Sequence, residues 1–508
     1  MTWADRRSAS ERGALAIVLH THMPYVEGFQ TWPFGEEWLW EAIVGSYLPL
    51  LDLLDSGAPL TVSLTPVLCD QLQAPGWQER FAVFVDEVRR HTHEEDAAGM
   101  RRAGHEELAQ ELGRSWGDYE LALLALQRRG GDLVAAFAAH AQWTSAATHA
   151  VLPLLATDDG VRLQVQTGID SHRARFGEGT PKGTGWRGGF WLPECAHERR
   201  LERQLADAGV HSTCVELTAR FGLGAREQLR PLVGDAGVVL VPIDRATMDL
   251  VWSDRGYPAD GVYRDYHHHT IHHHTPWSND GDPYDHARAL ARAEEHAADF
   301  VGHTIARLRN AGAGLPGGGL AVCALDTELL GHWWYEGTAW LSAVVQECSR
   351  QGLELVRLDD APARLDPVTA GEWRKGESGA EVESGAEGEN GGASSRRRFG
   401  EGRQTTSWGA HGDLSTWSGP AVAEVAFALR RAELEVMAAG PLADRTAVRE
   451  LLALQSSDWA FMIARGIAAP YAVQRLAEHG ERLRRALAQP GEGDAHALRN
   501  LAPYAITP

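Results

Sequence analysis

The 508-residue chain is 44% hydrophobic and 23% charged, with 69 acidic side chains against 48 basic ones. That length calls for two or three domains, and the apolar share fills a buried core, which excludes a disordered chain. A formal charge of −21 repels phosphate backbones and anionic lipid, which excludes nucleic acid and membrane surfaces as partners.

The first thirteen residues are polar and mixed in charge, and the apolar run 14–19 is too short for a signal-peptide core. No segment approaches the length of a membrane span, so a cytoplasmic protein is expected. ALAIVLHTH (14–22) reads as a buried strand ending in polar residues, and LTVSLTPVL (60–68) as a second. A helical segment over about 70–150 follows, carrying the amphipathic stretches RFAVFVDEVRR and DYELALLALQRR. Further strands are predicted at 189–194, 212–216, 237–243, 320–326 and 353–358. Strands separated by helical stretches predict an α/β fold around a parallel sheet, open or closed into a barrel. Residues 1–371 form this catalytic part. The Gly/Ser/Glu-rich stretch 372–407 predicts a disordered linker, and 408–508 an α-helical C-terminal domain with helices over 420–440 and 444–489.

Two residue counts bear on function. There are 18 Trp against 12 Phe and 10 Tyr, an inverted order. Tryptophan fills cores, and its flat face also stacks on sugar rings. The five cysteines are odd in number and widely spaced with no CxxC pair, which argues against a disulfide scaffold and a zinc ribbon and fits a reducing compartment.

Three constellations can carry chemistry. His20 and His22 alternate at the end of the first strand and share a face, which fits metal ligands, general bases or substrate donors. Glu194 ends the strand GFWLPE and precedes Cys195 and His197. Asp326 ends the strand LAVCALD and runs into Glu328 and the aromatic run His332–Trp333–Trp334–Tyr335. One carboxylate at a strand end is most often a helix cap. Two of them, each set among Trp and His, fit the nucleophile and acid/base of a retaining glycosidase. The run HHHTIHHH (267–274) has i, i+4 histidine pairs, but it leads into loop-like sequence and reads as a solvated loop, not a functional metal site.

Five ordered blocks resemble glycoside hydrolase family 57, and within it the 1,4-α-glucan branching group. They are LHTHMPYV (19–26) with WPFGEEWLWEAI (32–43), WTSAATHAVLPLL (143–155), GFWLPECAH (189–197), LDTELLGHWWYEG (325–337) and LLALQSSDWAFMI (451–463). The resemblance implies an incomplete (β/α)7 barrel with a helical C-terminal domain over the cleft and no metal or organic cofactor. It implies Glu194 as nucleophile, Asp326 as acid/base, and an α-glucan such as amylose or a glycogen-like polymer as substrate. It places His20, His22, His149, Trp32, Trp191, His332, Trp333, Trp334, Trp408, Trp417, Asp458 and Trp459 against substrate. Cys195 then reads as a small buried residue. One departure bears on activity: the branching group carries a tyrosine-bearing lid, and the corresponding stretch here (218–236) has no tyrosine, with Phe221 the nearest aromatic. The alternatives on the same scaffold are an α-amylase-type hydrolase and a 4-α-glucanotransferase. Outside it stand a metal-dependent deacetylase using His20 and His22, and a glucan-binding module without catalysis.

Overall fold

A computed structural model describes residues 13–28, 35–361, 367–369, 405–491 and 500–507. Its centre is a row of parallel strands. These are β1 (Ala14–Thr21), β2 (Thr61–Leu64), β3 (Ala141–Ser145), β4 (Gly189–Trp191), β6 (Ser212–Val215), β8 (Val239–Pro242) and β9 (Leu320–Asp326). They lie in the order β9-β1-β2-β3-β4-β6-β8. The two ends of the row meet where the Asp244 N–H, just past β8, donates to the Val322 carbonyl of β9 at 2.8 Å. Seven parallel strands curled in this way, with helices between them, are the incomplete barrel expected.

Both faces of such strands are covered, so they read as continuous apolar runs. Every residue of β1 after Ala14 is buried. Short strands complete the sheet: β10 (Glu354–Leu355) on the start of β1, and β7 (Leu232–Val233) with β11 (Val368–Thr369) beyond β8. The outer layer includes the 26-residue helix His286–Ala311 and the helix Gly337–Gln351.

Several boundaries differ from expectation, each for a local reason. The predicted 60–68 strand stops at Leu64 because Pro66 opens a helix, where its missing N–H costs nothing. The helical segment ends at Phe137, not near 150, and β3 follows within the predicted helical range. Its sequence AQWTS carries no strand period and is strand because both neighbours in the sheet pair with it. The predicted 444–489 helix is three, Arg445–Leu454, Ser457–Arg465 and Ala469–Ala488. A break at Gly466, whose φ of 69° suits glycine, separates the last two. Of the predicted linker, 372–404 lies outside the described residues. Its last residues are ordered: β12 (Thr405–Thr406) pairs antiparallel with β5 (His197–Glu198), and Ser407 is buried. All five cysteines are buried and free. Among the described residues no helix is long and apolar enough to cross a membrane.

The chain end is tied to the barrel by a buried ion pair. Arg175 donates to one Asp70 carboxylate oxygen at 2.7 Å, and the Ala502 N–H donates to the other at 2.7 Å. Both side chains of the pair are 2% exposed or less. Asp70→Ala strands a buried guanidinium and is expected to cost about 3–5 kcal/mol, read from the urea midpoint. A loss below about 1 kcal/mol would show that the pair does not anchor this end.

Candidate active site

The chemistry-bearing residues sit at the C-terminal ends of the strands, where barrel sites form. His20 of β1 is in register with Asp326 of β9. His149 follows β3, and Glu194 follows β4. The helix Ser457–Arg465 brings Ser457 and Asp458 across from the C-terminal region, and Trp408 arrives just after β12.

Glu194 has a left-handed backbone, φ 62° and ψ 21°, and so does His149, φ 61°. A non-glycine residue held there costs on the order of 1–3 kcal/mol, and such residues cluster at functional sites. The Glu194 carboxylate is held at both oxygens. Trp408 Nε1 donates to Oε2 at 2.8 Å, and the Ser457 hydroxyl donates to Oε1 at 2.8 Å. The Trp408 N–H also donates to the Glu194 carbonyl at 3.1 Å. Burial pushes the Glu194 carboxyl up, and the bonds from Trp408 and Ser457 pull against that rise.

These bonds fix the tautomers behind Glu194. Ser457 gives its only proton to the carboxylate, so it accepts from His149 Nδ1 at 2.9 Å. Burial holds the His149 pKa well below the ordinary value, so its Nε2 is bare and accepts from His20 Nε2 at 2.8 Å. Burial keeps His20 neutral too, and its Nδ1 faces the Ser63 hydroxyl at 3.4 Å. The result is one ordered chain of donors ending on Glu194. Trp191 stacks beneath it, 4.7 Å from the His20 ring centre.

Asp326 lies in a different field. Burial, then the charges of Glu328, Glu194 and Asp458, hold its carboxyl well above the usual carboxylate range. Glu328 itself accepts from the Tyr47 hydroxyl at 2.7 Å and the His22 N–H at 3.1 Å, and burial lifts it to about 7. Tyr47 ends a π-helical turn, Ile43–Tyr47. The loop after β9 presses on that turn at Gly331, where a Cβ would fall 1.8 Å from the Gly45 carbonyl oxygen. His22 Nε2 meets both Asp458 carboxylate oxygens at 3.0 Å. Burial alone would lower His22, but Asp458, Glu328 and Glu194 outweigh it and leave it raised. Asp458 is correspondingly lowered, because His22 and Ser456 outweigh its burial.

The structure sorts the predicted site residues. It brings Glu194, Asp326, His20, His22, His149, Trp408 and Asp458 together. His20 and His149 are 1% and 3% exposed and are bonded into the chain behind Glu194. Trp191, Trp334 and Trp459 have 1% exposure or less and pack in the core. Trp334 packs on Trp340 and Tyr263, and Trp459 donates to the Ala453 carbonyl. Trp417 is also buried; its ring lies under Gly409, where a Cβ would be 2.7 Å away, and supports the Trp408 loop. His332 is half-buried and Trp333 exposed, both in a groove that the two carboxylates do not line. Trp32 lies outside the described residues.

Sequence reading did not assign Ser457, Glu328 or Tyr47. Ser457 stood beside Asp458 in the fifth block, and Glu328 two residues past Asp326. Tyr47 carried no signal. The histidine run is a loop without helical i, i+4 geometry, and it is not wholly solvated. Asp96 accepts from Thr270 and bonds His272 at 2.8 Å, while His274 is buried against His93. Among the described residues no group of three or more His, Cys, Asp or Glu is placed to hold a metal ion.

A parallel barrel with two desolvated carboxylates among aromatic and histidine side chains defines a carbohydrate-active enzyme scaffold. The sequence signature described as Glycosyl hydrolase family 57 matches residues 143–370, and that described as 1,4-alpha-glucan branching enzyme, C-terminal, matches 435–503. A 1,4-alpha-glucan branching enzyme of Thermococcus kodakarensis is 30% identical, with 92% of this chain and 72% of the relative covered. The crystal structure of a family 57-type branching enzyme from Pyrococcus horikoshii superimposes with a TM-score of 0.77 at 29% identity, covering 97% of this chain and 94% of that one. An α-amylase from Thermotoga maritima shares the fold at a TM-score of 0.74 and 23% identity, covering 98% of each chain. The chain belongs to glycoside hydrolase family 57, in its branching-enzyme group.

The His22–Asp458 contact makes a direct prediction. Asp458→Asn removes the charge that raises His22, so the His22 pKa, followed by imidazole NMR, falls. An unchanged titration would contradict the pair.

Proposed function

We propose that the protein is a 1,4-α-glucan branching enzyme that works through Glu194 as nucleophile and Asp326 as acid/base. The observation that carries the assignment is the contrast between the two carboxyls. Burial raises both, but Glu194 receives a hydrogen bond at each oxygen, which pulls toward its ionised form, whereas the charges of three other carboxylates add to the rise of Asp326 and pull toward its protonated form.

In the first step the Asp326 proton passes to the glycosidic oxygen as Glu194 attacks the anomeric carbon. The C1–O4 bond breaks, the reducing-end fragment leaves as an alcohol, and a β-glycosyl ester forms on Glu194. In the second step the Asp326 carboxylate takes the proton of an acceptor 6-hydroxyl. That oxygen attacks C1, the ester bond breaks, and an α-1,6 link forms with net retention. Asp326 ends protonated and Glu194 ionised, ready for the next turnover. Stereochemistry and direction of attack depend on a nucleophile that does not rotate, and the bonds from Trp408 and Ser457 supply that constraint. His22 and Asp458, part-exposed beside them, are the polar groups that meet substrate.

One observation favours a second reading, hydrolysis. The stretch in place of the branching group's lid is compact: a helical turn at Thr218–Phe221, another at Arg226–Leu229, and Ala219 packed against Gly412. It offers no tyrosine to exclude water from the glycosyl ester. Transfer and hydrolysis differ only in which hydroxyl reaches C1. Incubating the protein with amylose and following anomeric protons by NMR separates them. The branching reading expects α-1,6 signals to rise with few new reducing ends. Reducing ends rising without α-1,6 signals would overturn it in favour of the hydrolase.

A further inference from the structure

A groove of about 690 Å³ runs between the helices Leu48–Asp55 and Glu106–Arg128, the histidine-rich loop, and the loop after β9. None of Glu194, Asp326, His22 or Asp458 lines it. We propose that this groove is a second α-glucan-binding site, separate from the carboxylate pair, that holds a stretch of polymer away from the cleft. The proposal rests on the α-glucan reading above for its choice of sugar.

Its lining has the two properties that sugar recognition needs, flat apolar faces and convergent hydrogen-bonding groups. At the rim, Trp333 and Tyr266 are 42% and 43% exposed, large aromatic faces left in solvent. Deeper in the groove, two carboxyls are each held by one oxygen only. Glu37 Oε1 accepts from Arg89 at 2.7 Å, and Glu336 Oε1 accepts from the Tyr284 hydroxyl at 2.6 Å. Among the described residues their Oε2 atoms, like His286 Nδ1, are buried with no hydrogen-bond partner, and all three residues line the groove. Glu37 and Glu336 are 4% and 1% exposed. A buried polar atom left unpaired beside a cavity gains a partner when its side chain turns toward a ligand there.

The chemistry of that partner is constrained. The lining mixes carboxyls, among them Glu41, Glu336 and Asp118, with the guanidiniums of Arg89, Arg128 and Arg264, so its charges of both signs select no anion or cation. A metal ion finds no cluster of three ligands among the described residues. A neutral ligand rich in hydroxyls, with apolar ring faces, fits both the carboxyls and the aromatic rim. Burial pushes the Glu37 carboxyl up to about 8, against the pull of Arg89. Polymer held there would stay near the cleft between turnovers, raising its effective concentration.

The test uses the full chain with Glu194→Gln to stop turnover, and glycogen as the probe in native-gel affinity electrophoresis. Adding Tyr266→Ala with Trp333→Ala is expected to weaken glycogen retardation about tenfold, and Tyr266→Phe to retain it. Adding Trp408→Ala, which removes an aromatic group of the cleft, is expected to leave substantial retardation. Retardation unchanged by the Tyr266 and Trp333 variants would overturn the proposal. So would its complete loss in Trp408→Ala, which would mean that the cleft is the sole site. Absence of branching by the unmodified protein would be a failure of the functional reading and is measured separately.

Discussion

The site depends on holding one carboxylate still in a place where a carboxylate is costly. Glu194 sits at a strand end with its backbone in the left-handed region, under a stacked layer of histidine and tryptophan rings. An ionised group in such surroundings needs its lone pairs satisfied. Both donors come from outside the barrel, Trp408 and Ser457, so the C-terminal region completes the site as well as covering it. The histidines behind Ser457 are neutral and ordered, which leaves Ser457 no alternative but to donate to Glu194. A serine with a free choice of acceptor would not orient the carboxylate.

Across the site burial raises a second carboxyl further, with carboxylate neighbours adding to the rise. Asp326 is raised by burial first and then by the charges of Glu328, Glu194 and Asp458. Glu328 is the nearest source of that field in sequence, and Tyr47 and the His22 backbone hold it there. Pairing with Asp458 raises His22 and lowers Asp458, which favours the charged form of each. The proposed division of roles between the two carboxyls rests on these neighbours and not on residue type.

Much of this was legible in the sequence, for identifiable reasons. Strands β1 and β9 read clearly because parallel strands buried on both faces are unbroken apolar runs, and Asp326 and Glu194 stood at the ends of such runs. Strand β3 was not legible, because AQWTS becomes strand only through its neighbours in the sheet. The tryptophans were the least legible residues. Trp191, Trp334 and Trp459 stand in the matched blocks and Trp408 outside them, yet it is Trp408 that bonds Glu194 while the other three are buried. Ser457 and Tyr47 were missed because their function is a single hydrogen bond to a residue hundreds of positions away in the chain. A motif records that a position matters, and the fold is needed to say to whom it donates.

The most direct test of the division of labour is azide rescue of two variants on an activated α-glucoside. With Glu194→Ala the small anion takes the place of the nucleophile and attacks opposite the leaving group, so a β-glucosyl azide is predicted. With Asp326→Ala the ester on Glu194 still forms, and azide then opens it from the other face to give the α-glucosyl azide. Anomeric proton couplings distinguish the two products. The β product from Asp326→Ala together with the α product from Glu194→Ala would contradict the account.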